Sequence, residues 1–176
     1  GSEMCIRDRC KSYRSTFEIT DFSQKIQTNH ELEAIIRHGE PPAILRFEDV
    51  KQEILGIFSI ISSFKKSGYT SLGIVCKTET QARELSESLR VHTGDIHFLS
   101  NQSSAFMKGI IVTSSHMAKG LEFDEVIVPY VNGKNYNSAI DKSMLYVAIT
   151  RAIHRLTLTY NGRPSEFIPV SSDQNF

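Results

Sequence analysis

Six short apolar segments, set apart by stretches of helical period, constrain this 176-residue chain more than any other feature. Residues 43–47, 72–76 (LGIVC), 95–99, 109–114, 124–130 and 155–160 (RLTLTY) read as strands, each a brief apolar or alternating run bounded by turn residues. The segments between them read as helices. Residues 48–66 carry Val50, Ile54, Ile57, Phe58, Ile61 and Phe64 close to a 3.6-residue period and stop at Gly68. Residues 78–90 turn Ala82, Leu85 and Leu89 to one side. A helix over 17–27 can be capped by Ser15 or Thr16, with Glu18 and Asp21 in its first turns, and a short helix over 31–37 stops at Gly39 and Pro41. Strands alternating with helices call for βαβ crossovers. The expected class is α/β, a mostly parallel sheet with helices on both faces.

Residues 143–160 (SMLYVAITRAIHRLTLTY) pass from a helical pattern into a strand. On a helical wheel Ile140, Met144, Val147 and Ala148 share one side, and Arg151 falls in the middle of that stripe. A guanidinium cannot shed its charge. It must snorkel, find a carboxylate, or meet an anion brought by a ligand. Thr150 lies on the polar strip and reads as structural.

Composition narrows the partners. Lys+Arg and Asp+Glu are 20 each, so the net charge is zero and no bulk electrostatic footprint for nucleic acid exists. Any strand binding has to come from a local groove. The length suits one domain with its own core. No apolar run approaches the roughly 20 residues of a membrane span, and no signal-peptide core is present, so a cytoplasmic location is expected. Cys5, Cys10 and Cys76 read as reduced thiols. No second Cys/His pair completes a four-ligand zinc set with Cys5 and Cys10, and no metal ligands are assigned. Gly1-Ser2 reads as a tag remnant, making residues 1–11 the leading segment of a truncated chain. Residues 162–176, with Pro164 and Pro169, are expected to form a loose tail.

Three motifs then narrow the reading. Residues 113–123 (TSSHMAKGLEF) and 146–152 (YVAITRA) resemble motifs V and VI of superfamily 1 helicases of the UvrD/Rep/PcrA kind, and residues 12–16 (SYRST) resemble motif IV. They stand in the family's order across most of the chain. The resemblance implies a three-layer RecA-like domain of P-loop NTPase type over 12–161, the C-terminal motor domain of such a helicase. Only residues 91–112 separate the helix at 78–90 from motif V, where UvrD, Rep and PcrA carry a large helical insertion. That layout is more like compact helicase IV/HelD-type members.

The implied activity is ATP-driven translocation and unwinding on single-stranded DNA. In this class ATP and Mg²⁺ lie between two RecA-like domains, and the N-terminal domain brings the phosphate loop and the Mg²⁺-binding acid. The pattern G-x-x-x-x-G-K-[ST] is absent from this sequence. The chain therefore holds half a site, and turnover needs the N-terminal domain of the same parent. Position by position, the resemblance implies that Arg151 and Arg14 reach the γ-phosphate, Tyr13 stacks on adenine, Glu122 bonds the ribose, and Gly120 permits close approach near the phosphates. It also implies that Thr113, Ser114 and His116 contact the phosphates of single-stranded DNA. Thr78, at a helix start after a strand, is a further candidate for that contact, and Lys119 serves either ligand or is solvated. A HelD-like factor that remodels RNA polymerase would carry an identical nucleotide site. A degenerate motor kept as a binding module would have lost its arginines, whereas both Arg14 and Arg151 are present.

Overall fold

The computed structural model describes residues 15–28, 37–100 and 108–170. All six expected strands form, as β1 (Ala43–Phe47), β2 (Ser71–Cys76), β3 (Ile96–Phe98), β4 (Gly109–Ser114), β5 (Phe123–Val128) and β6 (Ala152–Asn161). The described helices are α1 (Phe17–Ile26), α2 (Val50–Lys66), α3 (Glu79–Arg90), the single turn α4 (Ser115–Ala118) and α5 (Ala139–Ile149). The strands make one sheet in the order β1-β6-β5-β2-β4-β3, and every pairing is parallel.

Side chains alternate across the sheet, so each strand feeds two cores. Leu72, Ile74 and Cys76 of β2 join Ile110 and Val112 of β4 against Ile57, Ile61 and Phe64 of α2 and Leu85 and Leu89 of α3. On the opposite face Val75, Ile111 and Phe123 meet Ile19, Phe22 and Ile26 of α1 and Leu145, Ala148 and Ile149 of α5. Each fully buried Leu, Ile or Phe contributes about 1.5–3 kcal/mol. The result is the expected three-layer α/β architecture. At Gly73 the ring of Phe123 lies flat on the strand, where an added Cβ would stand 2.4 Å from it.

Polar caps set the helix starts. The Asp49 carboxylate accepts from the Gln52 backbone N–H at 2.8 Å, so α2 begins at Val50 rather than at 48. Thr78 with Gln81 and Ser138 with Asp141 form reciprocal capping boxes on α3 and α5. The carboxyl group of Asp141 is held at about 2: burial opposes ionisation, but the N–H groups of Asn137 and Ser138, Lys77 and the Ser138 hydroxyl together outweigh it. Thr16 occupies the N-cap position of α1 without a side-chain cap bond.

Two expectations are corrected. The buried face of α5 is Leu145, Ala148 and Ile149, whereas Ile140 is 69% exposed. The helix stops at Ile149 with Thr150 as its C-cap, so Arg151 stands in the turn before β6 and not in a helical stripe. The wheel fails because it extends the helix past its end, and because the sheet, not the densest apolar stripe, selects the inward face. The segment after Gly162 is also not loose through Val170. Asn132 pairs with Pro164 in an antiparallel bridge, the Ser165 hydroxyl donates to Tyr136 O at 2.8 Å, and Ile168 is buried in the core. The helix expected over 31–37 falls mostly outside the described residues, as do Cys5 and Cys10. Cys76 is a free, buried thiol whose ionisation burial opposes strongly.

Since all strands run the same way, the sheet has an amino edge and a carboxyl edge. Residues 115–122 leave β4 at the carboxyl edge and re-enter at the start of β5 on the amino edge. This one short crossover, shorter than the usual dozen residues, puts motif V at both edges.

Candidate functional site

The amino edge gathers Gly120, Glu122 and Arg151. Gly120 has φ +79°, in the left-handed region that glycine tolerates. Glu122 follows two residues later and is half-buried. Main-chain bonding then joins motif V to motif VI, with the Phe123 N–H donating to Arg151 O at 2.9 Å. The Arg151 side chain adds a second tie. Its Nε donates to Val147 O at 3.2 Å, Nη1 to Leu121 O at 3.3 Å and Nη2 to the Thr150 hydroxyl at 3.4 Å. A guanidinium has five N–H donors. These bonds use three of them, all on uncharged oxygens.

Arg151 is therefore a half-buried cation whose three hydrogen-bond partners are neutral, with the Glu122 carboxylate near enough to act on its charge. Burial lowers its pKa, against the pull of Glu122 and Tyr146, yet arginine stays charged. Such a group suits an incoming anion. Tyr13 and Arg14 lie outside the described residues. The next two residues are pinned to the same edge: the Ser15 hydroxyl donates to Ala152 O at 2.6 Å and the Thr16 N–H to Ile153 O at 3.1 Å.

The carboxyl edge holds the other candidates, with different outcomes. His116 and Thr78 are exposed. The Thr78 oxygen accepts from the Gln81 N–H at 3.2 Å, and a hydroxyl that accepts in this way can still donate to another group. Thr113 is wholly buried and its hydroxyl donates to Leu99 O at 2.9 Å. It is corrected from a phosphate contact to a tie between β4 and the end of β3, because a side chain without solvent access cannot reach a strand outside. Ser114 is also buried, and its oxygen caps α4 by accepting from the Met117 N–H at 3.3 Å. Lys119 is exposed. Among the described residues no group of three or more His, Cys, Asp or Glu side chains is placed to hold a metal ion.

Residues 95–163 match the family model of the UvrD-like helicase C-terminal domain. Over that stretch the chain resembles a UvrD-like helicase C-terminal domain. The C-terminal domain of a possible DNA helicase from Lactobacillus plantarum WCFS1 superposes with a TM-score of 0.77 at 29% identity, over 89% of this chain and 91% of that one. The helicase nonstructural protein 10 of an arterivirus gives a TM-score of 0.49 at 13% identity, over 77% of this chain and 32% of that one, and carries no weight. No curated protein matches the sequence. None of these likenesses bears on a compact HelD-like subtype or on RNA polymerase. No described helix is long and apolar enough to cross a membrane.

Three residues that matter to the site and its support are not evident from the sequence. Thr150 reads as structural from its place on the polar strip, and its hydroxyl accepts from Arg151 while donating toward Tyr146 O and Val147 O, so it also orients the guanidinium. Its position next to Arg151 was the available signal. Glu53 is fully buried on α2 and accepts from the Tyr130 N–H (2.9 Å), the Thr159 hydroxyl (2.8 Å) and the Asn161 amide (2.6 Å). An acid four residues before Ile57 on the inward face was the clue there.

Glu125 is the second buried acid, 1% exposed on β5, with Oε2 lying 3.7 Å from the Arg155 guanidinium. Burial pushes its pKa up to about 7 despite Arg155, and Glu40 adds to the rise. The folded state thus holds this proton more tightly than the unfolded chain does. The associated stability is present below about pH 4.5 and disappears as pH rises through about 7. Urea midpoints of the wild type should therefore fall across that window relative to Glu125→Gln. Parallel midpoint curves for the two proteins would show that Glu125 does not titrate there.

Proposed function

We propose that this domain is the C-terminal motor half of an ATP-dependent DNA helicase, closing on the N-terminal RecA-like domain of the same parent chain. The observation that carries this reading is Arg151: a half-buried guanidinium with two N–H donors uncommitted among the described residues, tied into both motifs beside Gly120 and Glu122. A fixed, planar fork of this kind matches the equatorial oxygens of a phosphoryl group in transfer. Bound ATP with Mg²⁺, held mainly by the N-terminal domain, would supply the phosphoryl group itself. This chain's residues supply position and charge. Arg151 and Arg14 face the γ-phosphate, Glu122 accepts from the ribose hydroxyls, Tyr13 stacks on the base, and Gly120 keeps the approach open.

On the opposite edge, His116 and Thr78 are the exposed groups able to donate to phosphate oxygens of single-stranded DNA. Ser114 supports them from beneath as the cap of α4. The possible DNA helicase of Lactobacillus plantarum favours the same assignment of DNA as the track. Steady-state ATPase of the full-length parent, titrated with single-stranded DNA, tests the proposal. Turnover should rise with DNA, and this 176-residue chain alone should show none. Turnover indifferent to DNA removes the track, and ATPase by the isolated chain removes the half-site reading.

A further inference from the structure

A cleft of about 440 Å³ opens at the carboxyl edge, beyond the ends of β5 and β6. One wall is the 132–137 loop and the other is the 161–167 segment that follows β6. The walls are tied together by the Gly133 N–H donating to Arg163 O at 3.0 Å, the Ser165 N–H to Val131 O at 3.1 Å, and the Ser165 hydroxyl to Tyr136 O. The Asn132 and Asn137 side chains are spent on bracing the loop internally. Its shape is therefore preformed.

What the cleft leaves uncommitted is cationic and aromatic. Lys134 and Arg163 line it, and among the described residues neither side chain has a hydrogen-bond or ion-pair partner. Phe167 forms an apolar wall, with Lys142 Nζ 5.9 Å from its ring centroid. Glu166 is the one acid of the lining, against the two cations Lys134 and Arg163. In a chain of zero net charge, this is the kind of local groove that strand binding requires.

The cleft also adjoins the candidate DNA residues. Lys77 Nζ donates to Asn135 O at 2.6 Å and Gln81 Nε2 to Asn135 Oδ1 at 2.9 Å, which fastens the loop to the start of α3 where Thr78 sits. Along the carboxyl edge the sheet order runs from β4, which precedes His116, through β2, which precedes Thr78, to β5 and β6 at the cleft. Three strand spacings of about 4.8 Å make about 14 Å, the length of about four stacked nucleotides at 3.4 Å rise.

We infer that the Lys134/Arg163/Phe167 cleft is a further single-stranded DNA subsite, holding the strand's phosphates on Lys134 and Arg163 as it leaves His116 and Thr78. The inference rests on the reading of the carboxyl edge as the DNA track. Its test is fluorescence anisotropy of a labelled oligo(dT) with this chain, wild type against Lys134→Ala/Arg163→Ala and, separately, His116→Ala, over a salt series. Both cations are exposed, so the double variant should fold. Losing two phosphate contacts should flatten the slope of log K against log salt by about 1.4, which is about sevenfold less loss of affinity across a fourfold rise in salt. An unchanged slope and affinity in the double variant, with weakened binding by His116→Ala, overturns the cleft and leaves the track standing. Unchanged binding by both variants, or no binding by wild type at low salt, overturns both.

Discussion

Arg151→Ala in the full-length parent is expected to lower the ATPase kcat by about 10³-fold or more while ATP still binds. An arginine finger is worth about 10³ to 10⁵ in kcat, or roughly 4 to 7 kcal/mol of barrier. An exposed ion pair contributes only about 0 to 1 kcal/mol, so the size of the loss separates a finger from a surface charge. The alanine variant also forfeits the bonds to Val147, Leu121 and Thr150, and some loss of stability should accompany it. Arg151→Lys separates the two effects. It keeps a positive charge at the turn but lacks the planar fork, and it should fold and bind ATP while remaining slow. Wild-type turnover in Arg151→Lys would mean that the fork is not used. Wild-type kcat in Arg151→Ala, with lowered stability alone, would make Arg151 a strut between motifs V and VI.

Replacing Glu53 by alanine should cost about 3–5 kcal/mol of folding free energy, read as a lower urea midpoint at unchanged m-value. Its two oxygens accept from three donors on β6 and the turn after β5. Removing them leaves the Thr159 hydroxyl buried without an acceptor and frees the Tyr130 N–H, which belongs to a residue at φ +60°. A non-glycine residue in that region is itself costly, at about 1–2 kcal/mol, so the Glu53 bond holds a strained turn. Glu53→Gln keeps one acceptor and should lose less, about 1–3 kcal/mol. A cost below about 1 kcal/mol for Glu53→Ala would show that the turn and β6 do not depend on this side chain.

The secondary structure was legible where a periodicity was long or a run was uniformly apolar. The LGIVC stretch had to be buried on both sides, and β2 is central in the sheet with every residue buried. The stretch at 50–66 could only be a helix with Ile57, Ile61 and Phe64 inward, as observed. Ends were less legible, because caps and pairing partners decide them. Strand β6 starts at Ala152, three residues before the alternating RLTLTY pattern, because Phe123 of β5 pairs there and Ser15 and Thr16 bond to Ala152 and Ile153. The segment after Gly162 reads as a tail from its prolines and becomes a packed wall only through contacts with the 132–137 loop.

Among the candidate site residues, local sequence determined identity and tertiary structure determined availability. Motif order brought forward Gly120, Glu122, Arg151 and His116, and a helix start after a strand brought forward Thr78, since each carries a side chain or backbone suited to an anion or a hydroxyl. Sequence could not tell that Thr113 and Ser114 face inward, because side-chain direction on a strand end depends on which face the neighbouring helices cover. Nor could it reveal that Arg151 sits in a turn with three neutral partners drawn from two motifs. Composition, periodicity and motif spacing are properties of near neighbours in the chain, and they determined the class and the strands. The assignment of groups to opposite edges, the buried acids Glu53 and Glu125, and the cationic cleft depend on contacts between residues far apart in sequence, which only the packed sheet brings together.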